Sequence, residues 1–137
     1  MGVSTERTVF LKKRAEQYED YYHLLNHWLE AKNYGASARD YFLANGWKNI
    51  AIYGMGDLAN RLMEDLGNSD IGVKYGIDRD AAGTVARISD IYSPNDKLPE
   101  VDVVVITPFY AYKPIQEMLK KKLDCPVISL ENVIWSI

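Results

Sequence analysis

The sequence predicts an α/β fold: a five-stranded parallel sheet in strand order 3-2-1-4-5, preceded by a long N-terminal helix and a second short helix. Three observations predict it. From Asn49 onward, short β-branched runs alternate with amphipathic stretches of helical period, the pattern of right-handed strand–helix–strand crossovers. The run Val101-Asp102-Val103-Val104-Val105-Ile106 is nearly continuously apolar, as suits a strand buried on both faces. A glycine turn, Gly54-Met55-Gly56, joins an apolar strand to an amphipathic helix, the junction at which doubly wound sheets bind ligands.

The spacing predicts a first helix over residues 8–32. Ala15, Tyr18, Tyr22, Leu25 and Leu29 recur at helical intervals, and Tyr21, Leu24 and Trp28 widen the stripe. Gly35 is placed to stop it. At 1.5 Å per residue such a rod is roughly 37 Å long, more than a small sheet is wide. Part of it should overhang and need a cover, either a second copy of the chain or its own sheet. A short helix over 37–45 follows, with Ser37 as N-cap, Asp40 completing a capping pattern and Gly46 beyond its end.

Next come a strand over 50–53, a helix over 58–66 with Leu58, Leu62 and Leu66 on one face, and a strand over 73–77. A weak strand is expected over 85–92, then the strong one over 101–106. Pro114 sits in the first turn of a helix over 115–122. Val127-Ile128-Ser129 closes the sheet, and residues 131–135 form a helical tail. Ser93-Pro94-Asn95-Asp96 reads as a turn. The chain therefore divides into a helical extension, 1–46, and a sheet-forming portion, 47–137.

Composition narrows the function. The 137 residues are 47% hydrophobic and 26% charged, ordinary for a globular chain. Sixteen basic residues face nineteen acidic ones, a net charge of −3, which argues against nucleic acid as a partner. The charge is uneven: +1 before Asn49 (seven basic, six acidic) and −4 after it (nine basic, thirteen acidic). No run is apolar enough to span a membrane and no secretory leader is visible. The single cysteine, Cys125, forms no internal disulfide. A cytoplasmic location is the expectation.

Gly54-Met55-Gly56-Asp57-Leu58-Ala59 matches G-x-G-x-x-G/A in the strand-to-helix context that gives the pattern meaning. Gly54 permits the tight turn, Gly56 lets a pyrophosphate approach the backbone, and small Ala59 lets helix and strand pack closely. Free N–H groups and the helix dipole favour an anion there. Asp78 lies nineteen residues beyond Ala59, where dinucleotide sites place a carboxylate for the ribose hydroxyls. Arg79 follows it. The carboxylate favours NAD and the arginine can accommodate the extra phosphate of NADP, so the balance leans toward NAD. Asp57 opposes phosphate, because its charge occupies the positive end of the helix dipole. The alternative is a tight turn with no ligand.

The cleft's other rim should come from the fourth strand and the segment after it. Thr107 can hydrogen-bond a phosphate or ribose, Phe109, Tyr110 and Tyr112 can flank a base or sugar, and Lys113 can meet a phosphate. The same aromatics would serve equally in a core or an interface. Catalytic signatures are sparse. Tyr110 and Lys113 are three apart rather than the four of short-chain dehydrogenases, and neither a P-loop nor a G-x-S-x-G elbow occurs. His23 and His27, with Glu19 and Glu30, can share a face of the first helix, but a third metal ligand of clear identity is missing. Cys125, before Pro126, reads as a buried small hydrophobe.

Taken together, residues 47–56, 73–78, 91–94 and 101–107 resemble a small Rossmann module of the kind found in bacterial polysaccharide and glycan biosynthesis proteins, alone or beside glycosyltransferase domains. They are also similar to the N-terminal domain of nucleotide-sugar dehydratases and to CoA-binding Rossmann domains. The resemblance covers about residues 47–134. It implies that Gly54, Gly56, Ala59 and Asp78 contact a dinucleotide or nucleotide-sugar. It further implies an accessory nucleotide-binding module with a glycosyltransferase as one candidate partner; the overhang of the N-terminal helix separately predicts a homodimer through that helix. Catalytic dehydratases continue into a substrate-binding portion where this chain ends, so independent catalysis is not expected. The alternatives are an interaction module with a vestigial cleft, or a small oxidoreductase or epimerase completed by oligomerisation.

Overall fold

The computed structural model describes residues 2–82, 88 and 90–137, with side chains from residue 5 onward. In chain order the elements are α1 (Gly2–Asn33), α2 (Ala38–Ala44), β1 (Asn49–Tyr53), α3 (Asp57–Leu66), β2 (Gly72–Ile77), β3 (Ile91–Tyr92), β4 (Val103–Ile106), a 3-10 turn (Phe109–Ala111), α4 (Tyr112–Lys120), β5 (Val127–Ser129) and α5 (Leu130–Ile134). The strands form one sheet in the order β3-β2-β1-β4-β5, and every pairing is parallel. The expected architecture and strand order are those observed. Of the strand expected over 85–92, residues 91 and 92 form β3; positions 85–87 and 89 lie outside the described residues.

Alternation along the central strands builds two apolar layers. Ile50, Ile52, Val103 and Val105 face one side, packing with Leu24 and Trp28 of α1, Phe42 of α2, Leu62 of α3 and Val133 of α5. Ala51, Tyr53, Val104 and Ile106 face the other side, packing with Ile115 and Leu119 of α4 and with Leu123. Burial of both faces explains why β4 reads as an unbroken apolar run. The C-terminal part of α1 and all of α2 thus share the core of the sheet.

Besides β3, three element starts differ from expectation by two residues or more. α1 begins at Gly2 rather than residue 8 and, at 32 residues, is roughly 48 Å long. β4 begins at Val103, because Asp102 turns to accept the N–H groups of Lys48 (2.9 Å) and Asn49 (2.8 Å) and so fixes the start of β1. α4 begins at Tyr112, placing Pro114 third in the helix, still in the turn where a missing N–H costs nothing. The α2 cap is as expected: Ser37 Oγ accepts from Arg39 N–H at 3.2 Å, and Asp40 Oδ2 accepts from Ser37 N–H at 3.1 Å. The Ser93–Asp96 turn also forms, closed by Asp96 N–H on the Ser93 carbonyl at 3.0 Å.

The face α1 uses to dock is not the main stripe. Leu24, Trp28 and Ala31 are buried and Tyr21 is half-buried, whereas Tyr18, Tyr22, Leu25 and Leu29 are exposed. No helix among the described residues is long and apolar enough to cross a membrane.

Candidate functional site

Strand order reverses between β1 and β4, and at the carboxyl ends of these strands lies a cleft of about 420 Å³. Its floor is the glycine turn with the first turn of α3, residues 54–58. Thr107 and Pro108 form one wall, Asp78 lines the side toward β2, and Tyr18, Tyr21 and Leu25 of α1 form the remaining wall.

Gly54 adopts φ +87°, and a Cβ there would stand 2.7 Å from both Pro108 Cδ and Thr107 Oγ1. Glycine is therefore required twice over, by conformation and by close approach. Its N–H donates to the Ile77 carbonyl at 2.8 Å, tying the turn to β2. Gly56 differs: it has an ordinary extended conformation as N-cap of α3, and a Cβ there would meet nothing within 4 Å. The space above it is open, as close approach of a ligand to the backbone requires. Among the described residues no acceptor takes the N–H groups of Gly56, Asp57 or Leu58. Asp57 is exposed, and its carboxylate makes no hydrogen bond to the turn.

The remaining expected site residues fall into two groups. Asp78 reaches the cleft, but its carboxylate also builds it. Oδ2 accepts the Met55 N–H at 2.9 Å and Oδ1 accepts the Asp80 N–H at 2.9 Å. The Met55 amide is thus not free for phosphate, although each carboxylate oxygen keeps acceptor capacity for a ribose hydroxyl. Met55 turns its buried side chain onto Gly76, and Ala59 is fully buried against the sheet. Thr107 is buried, its hydroxyl 3.0 Å from the Tyr53 carbonyl and 2.8 Å from that of Gly54.

Tyr110, Arg79, Phe109, Tyr112 and Lys113 do not line the cleft. The Tyr110 hydroxyl donates to Asp20 of α1. Burial, together with the Asp20 carboxylate, raises its pKa above the ordinary tyrosine value. Phe109 and Tyr110 both pack on Tyr21, with ring centroids 4.9 and 5.6 Å away. The Tyr112 hydroxyl donates to the Val127 carbonyl at 3.0 Å. Arg79 and Lys113 are exposed. The expected aromatic rim is therefore an α1 anchor. It sets Tyr18, Tyr21 and Leu25 over the glycine turn, a wall that the spacing of motifs could not reveal.

The two histidines, one helical turn apart on α1, have different surroundings. His23 is exposed, 3.7 Å from Glu19. His27 stacks on Trp135 at 4.6 Å, with its Nε2 buried and lacking a hydrogen-bond partner. No group of three metal-ligating side chains occurs among the described residues. Burial pushes the Cys125 thiol up, away from thiolate.

Asp65 is a cluster the motif reading missed. Its side chain is 1% exposed and accepts from Trp28 Nε1 at 2.9 Å, Ala38 N–H at 2.8 Å, Ser37 Oγ at 3.1 Å and the Lys32 ammonium. Burial opposes ionisation, but the hydrogen bonds from Lys32, Ala38 and Trp28 outweigh it and hold the carboxyl below its ordinary range. The available signal was a carboxylate between Leu62 and Leu66 on the apolar side of α3.

Comparison of the chain with protein-family models, with curated proteins and with solved structures gives no match.

Proposed function

We propose that the chain is a nucleotide-binding module that takes NAD or a nucleotide-sugar in the cleft above the glycine turn and presents or senses it without completing a reaction. The observation that carries this reading is the floor of the cleft: three N–H groups at the start of α3 that find no acceptor among the described residues, beneath open space at Gly56. Those amides would hold a phosphate, Asp78 would accept from ribose hydroxyls, and Tyr18 and Tyr21 would flank a ring. Among the described residues the lining contains carboxylates and no lysine or arginine, which favours NAD over the more anionic NADP. NAD, when bound, supplies hydride-transfer chemistry. Of the groups an oxidoreductase or epimerase could use for acid–base work, Tyr110 and Tyr112 have their hydroxyls committed to Asp20 and Val127 and Lys113 is exposed outside the cleft lining, which supports binding rather than catalysis. A role in glycan biosynthesis, with a glycosyltransferase as partner, and pairing through α1 belong to the same proposal; the first two derive from the sequence resemblance.

A second reading, an interaction module with a vestigial cleft, is favoured by one observation: Asp78 consumes the Met55 amide and adds negative charge to the site. Titration calorimetry separates the two. The unaltered chain should bind NAD or a UDP-sugar in the micromolar range. Gly56→Val, whose Cβ would meet nothing within 4 Å, should abolish binding and leave the circular dichroism unchanged. No heat with NAD(H), NADP(H), CoA or UDP-sugars at millimolar concentration would leave the interaction module.

A further inference from the structure

α1 has an apolar face that the fold leaves unused. Leu11, Ala15, Tyr18, Tyr22, Leu25 and Leu29 follow one another at alternating steps of four and three, the 3.5-residue period of a coiled-coil seam. All six are exposed, Tyr22 by 63% and Leu29 by 62%. With Leu11, Tyr18 and Leu25 at d and Ala15, Tyr22 and Leu29 at a, the residues that dock on the sheet fall at c and g: Tyr21, Leu24, Trp28 and Ala31. The seam thus lies beside the docking face and is not part of it. A straight helix drifts about 20° per heptad from a strict 3.5 repeat, so such a seam stays aligned only when the helix winds around another.

We infer that α1 pairs with α1 of a second copy as a parallel, in-register coiled coil over residues 11–29, and that this second copy completes the rim of the cleft. Charge selects the orientation. In the parallel arrangement Arg14 at g faces Glu19 at e of the other copy, twice by symmetry; the like-charged Arg7–Lys12 pair falls at the outer end. An antiparallel pair keeps apolar layers but sets Glu19 against Glu19 at its centre. The exposed seam side chains offer on the order of 500 Å² per chain, about 1,000 Å² in the pair, the lower edge of a specific interface. Tyr18 and Leu25 belong to both the seam and the cleft, so the second helix lies along the cleft's edge. There the g–e rule sets Asn26 of the second copy opposite Tyr21, adding an amide to the wall formed by Tyr18, Tyr21 and Leu25.

Sedimentation equilibrium of the full chain at tens of micromolar should give the two-chain mass. Tyr22→Glu and Leu29→Glu, both on the exposed seam, should give the single-chain mass with near-ultraviolet dichroism retained. In a Cys125→Ser background, Leu11→Cys should form a disulfide-linked pair on mild oxidation. Arg14→Glu should weaken association about tenfold, and adding Glu19→Arg should restore it. A single-chain mass at 100 µM overturns the inference. Cross-linking only between Leu11→Cys and Leu29→Cys chains, or failure of the charge exchange to restore pairing, overturns the parallel register. None of these measurements involves a ligand, so the inference stands or falls separately from nucleotide binding.

Discussion

The indole Nε1 of Trp28 donates to the carboxylate of Asp65 at 2.9 Å across 37 residues of sequence, joining α1 to α3 inside the apolar layer. The same carboxylate holds Lys32 at the end of α1 and the Ala38 N–H at the start of α2. One buried charge therefore fixes three helices, and the wall of the cleft that α1 provides depends on it.

Asp65→Ala should destabilise the fold by roughly 3 kcal/mol, since it strands several buried donors and the Lys32 charge. Chemical denaturation checks this. Asp65→Ala should also loosen α1, seen as faster amide exchange across residues 17–31.

Acid tests the same group. A carboxyl lowered in the folded state contributes stability that is fully present above its unfolded pKa of about 3.9, and that is lost as pH falls through the folded value. Urea midpoints of the unaltered chain should fall below pH 4, and in Asp65→Asn that part of the decline should be absent.

The two glycines of the turn should respond oppositely. Gly54→Ala forces a side chain into φ +87° and against Pro108 and Thr107. It should cost roughly 1–3 kcal/mol. Gly56→Ala has free space and an extended conformation and should change stability by less than about 1 kcal/mol. Thermal melts of the pair distinguish a turn built by sterics from one kept open for a ligand.

Thr107→Val keeps the shape of the wall but removes the hydroxyl that serves the Tyr53 and Gly54 carbonyls. The Thr107 N–H still reaches Tyr53 at 3.0 Å, so Gly54 is the carbonyl left unpaired. A loss of about 1–2 kcal/mol in urea unfolding is expected.

Tyr75 should govern part of the alkaline limb. Burial first, then the neighbouring Cys125 and Tyr92, push its pKa up to about 12, and its hydroxyl donates to the Pro99 carbonyl at 2.6 Å. Its contribution is complete below the unfolded tyrosine value near 10 and is lost as pH rises through 12. Tyr75→Phe should be about 1 kcal/mol less stable at neutral pH and should decline less steeply between pH 10 and 12.

What the sequence determined by itself was local: strand and helix periods, the Ser37–Asp40 cap, the turn at Gly54 and the acceptor at the end of β2. Each of these depends on residues within a few positions of one another, or on the two-faced burial that makes Val103–Ile106 uniformly apolar. The strand order followed because short parallel crossovers leave few alternatives. Only the tertiary structure decided which stripe of α1 docks, since Tyr22 and Leu29 are as apolar as Leu24 and Trp28, and the choice depends on Asp65 waiting on α3. It also decided that Tyr110 reaches away from the cleft to Asp20, and that Tyr18 and Tyr21 stand over the glycine turn. Those placements arise from contacts across tens of residues, where the geometry of packing, and not the spacing along the chain, sets which groups meet.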